Sequence, residues 1–260
     1  MKDLNIEDLE NLPGKLLKKG EPFAFRCHSG LACFNLCCRN LNLMLYPYDV
    51  LRLKQNLGIS SDRFLDEHVD IVLRSGTYFP EVLLRMADNE EKTCVFLTEK
   101  GCSVYPDRPD TCRRFPIEQG AVFDENLRVK EVFHLFRPPE FCLGKDEAQP
   151  WTSESWGRNQ EGEKHEKMTL RWAQIRHRFQ ADPWNGQGPG CPNGKMAFMA
   201  TYNVDAFRDF VFNSSFLKRF KIKTETVRRI KTDDVELLKL GFEWVMLFIW
   251  GLPSKMIRPR

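Results

Sequence analysis

From residue 46 onward the apolar positions fall at helical spacing. Pro47 suits a first helical position, Val50, Leu51 and Leu53 form one apolar stripe, and Gly58 is placed to end the helix. Ser60 or Ser61 can cap a second helix that carries Phe64, Leu65, His68, Val69 and Val72. Just before them, Leu41 to Leu45 alternates enough to predict a short strand or extended segment. Ile6, Leu9 and Leu12 mark a short amphipathic lead-in, followed by a turn at Pro13-Gly14. The stretch Cys94 to Pro106 predicts a small hairpin that turns over Thr98 to Gly101. Pro106 and Pro109 then stiffen a bend that leads to Cys112. Residues 117–141 predict irregular strands ending in Arg137-Pro138-Pro139, and the polar stretch 145–166 is the expected linker. Helices are expected near 164–180, 204–220 and 234–250. Asn203 caps the second of these, which carries Phe207, Phe210, Val211 and Phe216.

Composition bounds the class. The 260 residues are 42% hydrophobic and 29% charged, ordinary for a globular chain, and 20 phenylalanines supply bulky core material. A net charge of +3 is too small to argue for a nucleic-acid partner. The first 17 residues lack the basic-then-apolar pattern of a signal peptide. No run reaches the about 18 apolar residues of a membrane span, and Trp244 to Leu252 is too short. A cytoplasmic chain is expected, in which thiols stay reduced. Trp244, Phe248 and Trp250 are read as packing residues, and Asp66, Glu67 and Asp70 as a solvated face.

The cysteines change the picture most. Eight of nine fall in one broad cluster: Cys27, Cys33, Cys37, Cys38, Cys94, Cys102, Cys112 and Cys142. Thiolates gathered from several loops are soft, anionic ligands suited to zinc or an iron–sulfur cluster and to little else. All eight are candidate metal ligands, and eight would satisfy two four-thiolate sites. Cys37 and Cys38 are adjacent, so their side chains diverge whether the backbone is helical or extended. Either one of the pair is structural or the two serve different metals. His28, His68 or His134 could substitute for a thiol, although His28 reads as a surface residue and His134 as a strand residue; His165 and His177 read as helix-surface residues. Cys191 sits apart in a turn-rich loop and reads as structural or exposed. Arg26, Arg39, Arg108, Arg113 and Arg114 lie beside the cysteines, where they could lower thiol pKa values and tune a cluster. There is no C-x2-C pair, no ferredoxin spacing, no phosphate loop, no G-x-G-x-x-G and no G-x-S-x-G. Cys33-x3-Cys37 opens like a radical-SAM triplet, but the third cysteine is at the wrong offset. No catalytic residue stands out.

A longer pattern follows. Cys27 to Cys38 ends in a Cys-Cys pair. A second block then reads Cys94-Val-Phe-Leu, Gly101-Cys102-Ser-Val-Tyr105 and Arg108-Pro-Asp-Thr-Cys112-Arg-Arg-Phe-Pro116. Phe141-Cys142-Leu143-Gly144 closes the series. Residues 25–145 thereby resemble the YkgJ-like cysteine-cluster family, of CxxCxxCC type, described as zinc- or iron-chelating. Here the first block is C-x5-C-x3-C-C, looser than the family's usual spacing, which bears mainly on Cys27. Members of the family have been labelled iron–sulfur oxidoreductases, and a related module occurs in flagellin lysine methylases. The resemblance implies metal binding more strongly than any reaction.

An α+β protein is expected. Residues 1–146 would form a loop-rich, metal-stapled part with a small hairpin, and residues 147–260 a mostly helical part. The favoured function is an iron–sulfur protein, 4Fe-4S by preference, with a redox or electron-transfer role. The alternatives are a zinc-binding structural or adaptor protein and a protein-modifying enzyme related to lysine methylases. A protein partner is expected, with no nucleic acid and no membrane span.

Overall fold

The computed structural model describes residues 2–3 and 13–260. The lead-in at Ile6, Leu9 and Leu12 lies outside the described residues. The architecture is mixed α+β, with small sheets in the N-terminal half and a mainly helical C-terminal part. Two compact units are each assembled from two stretches of chain: 1–43 with 85–174, and 44–84 with 175–260.

The first unit is built on the hairpin of Ile117–Phe123 and Val129–Phe136, which pairs Ile117 with Phe136. It is a regular ladder with one irregularity at Val122/Phe123, not the irregular strands expected. Lys15–Leu17 adds to one edge antiparallel, and Lys2–Asp3 to the other in parallel. The alternating inward face of the hairpin meets an aromatic core of Phe23, Phe25, Trp156, Leu17 and Ile117, with Phe115, Phe136 and Trp151 against it. Trp156 belongs to the stretch expected to be a linker. That stretch is ordered: Pro150–Trp151 pairs with Phe23–Ala24, and helix Ser153–Asn159 follows a Thr152 cap. Turn-forming residues suggested a linker, but the buried Trp156 and the half-buried Trp151 pack their rings here. Trp151 Nε1 donates to the Phe25 carbonyl (2.8 Å) and Trp156 Nε1 to that of Arg114 (3.0 Å), so each ring also satisfies its polar edge.

In the second unit, helix Pro47–Leu57 runs as expected and ends at Gly58, whose φ of 65° needs no Cβ. Ser60 caps helix Ser61–Glu67 by accepting from Arg63 N. That helix stops earlier than expected. Val69–Val72 turns into a strand paired with Glu81–Leu84, because β-branched side chains with a partner strand at hand favour the extended form. Met44 bridges to Leu83, confirming the extended segment before the first helix. The expected helix over 204–220 is two, Val204–Asn213 and Phe216–Arg219. Ser214 breaks it by accepting Phe216 N on its hydroxyl. Helices Pro192–Tyr202 and Thr224–Arg229 had no counterpart in the expectation. Asn203 caps as expected, accepting from Ala206 N. Trp244, on helix Asp234–Trp250, lies among Phe207, Phe210, Phe216 and Phe248, a packing role. Lys54 Nζ is buried between Asp205 (3.0 Å) and Asp234 (3.1 Å), which satisfies an otherwise costly charge. Among the described residues no helix is long and apolar enough to cross a membrane.

Gly241 marks the tightest helix crossing. A Cβ there would stand 2.0 Å from the Ala200 carbonyl oxygen, backbone against backbone. Gly241→Ala should therefore destabilise the protein by about 1–3 kcal/mol. Gly157→Ala, on helix Ser153–Asn159 with open space around it, should instead be neutral or stabilising by up to about 1 kcal/mol. Urea unfolding of the two variants checks this, and equal stabilities would contradict the close approach.

Candidate metal centre

The backbone, more than the side chains, gathers the cysteines. All eight lie in the first unit. Cys27 follows strand Phe23–Ala24, and Arg26 N donates to Gly144 O (3.0 Å), which draws Cys27 to the segment that carries Cys142. The approach needs glycine, since a Cβ on Gly144 would stand 2.8 Å from the Arg26 carbonyl oxygen. A run of turns leads from His28 to Cys33, whose Sγ accepts from Leu143 N (3.2 Å). Asn35, at φ 66°, then starts the 3₁₀ turn Leu36–Cys38. On the other side of that turn, Cys94 N donates to Cys38 O (2.8 Å). Leu97, whose N–H donates to Cys94 O, pairs with Cys102 across the expected small hairpin. Cys112 rides on the short helix Asp110–Arg114, set by the tight turn Tyr105–Asp107.

The thiols feel one another. Burial pushes the Cys27 thiol up to about 11, with Cys37, Cys142 and Cys33 adding to the shift. Burial also raises Cys142, helped by Cys33 and Cys37, and raises Cys94, helped by Cys102. A hydrogen bond from the Cys38 thiol lowers Cys37 to about 7 and raises Cys38, on which burial, Cys37, Cys112 and Cys94 also act. Thiols that suppress one another's ionisation accept a cation readily, because the metal removes both the repulsion and the protons. Among the described residues, no three His, Cys, Asp or Glu side chains stand together as a formed metal-binding group. The donor set nonetheless fits zinc or iron–sulfur chemistry: soft sulfur from several turns and short elements, tied together by main-chain bonds.

The arginines do something other than expected. Arg108, Arg113 and Arg114 are buried, and they stitch the cysteine-bearing turns to the stretch 160–169. Arg108 donates to Tyr105 O (2.6 Å) and Gln160 Oε1 (2.7 Å), with its guanidinium 3.8 Å over the Tyr105 ring. Arg113 donates to Gln160 O and Pro106 O, both at 2.6 Å. Arg114 pairs with Asp110 (3.0 Å) and Glu166 (3.5 Å), and Asp110 also accepts from Thr169 (3.0 Å). Arg108 also acts on a thiol, opposing the burial that raises Cys102. Arg39 pairs with Glu91, and Arg26 is exposed. Gln160, Glu166 and Thr169 are thus part of the site's support, and sequence reasoning missed them; the one available signal was Trp156 in an otherwise polar stretch.

The remaining candidates sort simply. His28 accepts from Gly30 N and lies 3.8 Å from Glu147. His134 is on the hairpin beside Gln119, and burial lowers its pKa. His165 is buried and His177 half-buried, so neither is the helix-surface residue expected; the amphipathic pattern of a charged helix did not reveal which face packs. Cys191 caps helix Pro192–Tyr202, its Sγ accepting from Gly194 N (3.3 Å), a structural role in the second unit.

Metal-free protein offers a direct check on these thiols. A pKa of about 7 leaves Cys37 about half thiolate at neutral pH, whereas Cys27, raised to about 11, stays protonated. With limiting iodoacetamide at about pH 7.5, Cys37 should be alkylated before Cys27 even though Cys27 is the more exposed, and Cys27 should catch up only in strong alkali. Peptide mass spectrometry reads the order; early labelling at Cys27 would refute it.

Comparison with known proteins agrees with this donor set. No curated protein and no solved structure matches the chain. A family model described as "Putative zinc- or iron-chelating domain" matches residues 26–142, a span that starts beside Cys27 and ends on Cys142. Residues 26–142, the stretch that carries all eight clustered cysteines, are therefore similar to the CxxCxxCC family of zinc- or iron-chelating domains.

Proposed function

We propose that this protein is a cytoplasmic iron–sulfur protein, with a 4Fe-4S centre by preference, that passes electrons to a protein partner. The metal would be held within residues 1–146, by Cys27, Cys33, Cys37, Cys38, Cys94, Cys102, Cys112 and Cys142. The observation that carries the reading is the main-chain amides at four of the sulfurs. Leu143 N donates to Cys33 Sγ, amides of Phe96 and Leu97 act on Cys94, that of Val104 on Cys102, and those of Gly144 and Lys145 on Cys142. Amide donors stabilise sulfur-borne negative charge and are a main lever on cluster potential. When bound, such a cluster supplies one-electron transfer.

A second observation supports a partner. Leu36, Val95, Phe141 and Leu143, each next to a cysteine, are exposed, as is Tyr105. Apolar side chains left in water beside a redox centre suit a transient protein contact. The small net charge of +3 leaves little steering toward nucleic acid.

Protein purified without oxygen decides the metal. Iron and acid-labile sulfide should be present in matching amounts, with broad visible absorption that bleaches on adding dithionite. Stoichiometric zinc in colourless protein would overturn the iron–sulfur reading and make the cysteines a structural staple, lost to chelators with unfolding.

A further inference from the structure

Two backbone frames meet at Cys37-Cys38. On one side, Arg26 N to Gly144 O and Leu143 N to Cys33 Sγ hold the Cys27, Cys33 and Cys142 segments together. On the other, Cys94 N to Cys38 O, the bridge Arg39↔Thr93 and the pairing Leu97↔Cys102 hold the Cys38, Cys94 and Cys102 segments together. Between the frames runs the 3₁₀ turn Leu36–Cys38. Such a turn advances about 120° per residue, so neighbouring side chains leave the backbone in different directions even though the Cys37 and Cys38 thiols share a hydrogen bond. One four-coordinate centre cannot use eight thiols, and it takes two adjacent cysteines from such a turn only awkwardly.

We infer that the eight cysteines form two separate four-thiol metal sites, one of Cys27, Cys33, Cys37 and Cys142, the other of Cys38, Cys94, Cys102 and Cys112. The main chain divides the pair itself: the Cys38 carbonyl is bonded into the second frame by Cys94 N, which leaves Cys37, one step earlier on the turn, to the first. Cys112 joins the second site on the short helix that follows Cys102 through the turn Tyr105–Asp107 and that Arg113 and Arg114 pin in place.

The inference rests on the reading that these thiols bind metal, but not on which metal. Its test is a count of metal per chain in the full-length protein and in paired variants. Wild type should hold two site equivalents: two clusters, or two zinc ions. Cys37→Ser and Cys38→Ser should each halve the metal. Cys37→Ser with Cys142→Ser should lose no more than Cys37→Ser alone, because both strike one site. Cys37→Ser with Cys38→Ser should lose all of it. If the Cys37/Cys142 pair empties the protein while circular dichroism shows it folded, a single shared site replaces two. A titration of metal-free wild type with Co²⁺, followed by its thiolate absorption, needs no variant: saturation at two equivalents supports the partition, and saturation at one overturns it. The outcomes separate the two claims. Zinc in two sites removes the iron–sulfur reading and keeps the partition; iron and sulfide that saturate as one centre do the reverse; protein that takes up no metal at all removes both.

Discussion

Eight thiols confined to one unit cannot all ionise unaided, and most of the N-terminal architecture follows from that constraint. Burial raises Cys27, Cys94, Cys102 and Cys142, with neighbouring thiols adding to the effect on all but Cys102, and the hydrogen bond with Cys37, then burial, raises Cys38. A buried thiolate without a partner is costly, so the metal-free state keeps its protons. A metal ion reverses the sign of that interaction. It takes the negative charge, expels the protons, and turns mutual repulsion into shared coordination. The turns that carry the cysteines are short, and metal–sulfur bonds would be strong links between them. Main-chain amides aimed at sulfur favour the deprotonated form before any ion arrives.

The supports of the site are chosen for rigidity. Arg108, Arg113 and Arg114 spend their charge on carbonyls, Gln160, Asp110 and Glu166, and in doing so fix the turn Tyr105–Asp107 and the helix that bears Cys112. Arginine suits this use because its planar fork donates in several fixed directions at once. Trp156 bonds the Arg114 carbonyl from within the aromatic core, and Cys142 is itself part of that core. The metal region and the apolar core are thus continuous at Cys142, and a shift in one is felt by the other.

Much of this was legible in the sequence, and the gaps have physical causes. The cysteines, the small hairpin and the helix from Pro47 to Leu57 could be read because each rests on local chemistry: residue type, turn residues, capping. The strand Val69–Val72 could not, because its partner Glu81–Leu84 is a separate segment, and the apolar spacing there fits a helix equally well. The stretch 145–166 looked like a linker because its polar residues outnumber its tryptophans, although the buried Trp156 and the half-buried Trp151 outweigh many solvated glutamates in packing energy. The arginines were read in place but only partly in use: Arg108 opposes the burial that raises Cys102, as expected, while the reach of Arg108 and Arg113 to carbonyls and of Arg114 to Asp110 depends on tertiary contacts that proximity in sequence does not reveal.

The adjacent pair Cys37-Cys38 has a consequence for how two sites would behave. Consecutive Cα atoms are about 3.8 Å apart and a zinc–thiolate bond is about 2.3 Å, which puts centres on either side of the pair on the order of 10 Å from one another. That is about one Debye length at physiological ionic strength, and the intervening medium is partly buried protein, so charge at one centre is poorly screened from the other. Adding an electron at one site, or losing a metal ion there, would change the ease of doing so at its neighbour. The same short link transmits force as well as charge: filling one site fixes the 3₁₀ turn, and a fixed turn presents the other cysteine of the pair already oriented for the second. Two independent sites on separate loops would have neither property, and a single site would have no need of the pair.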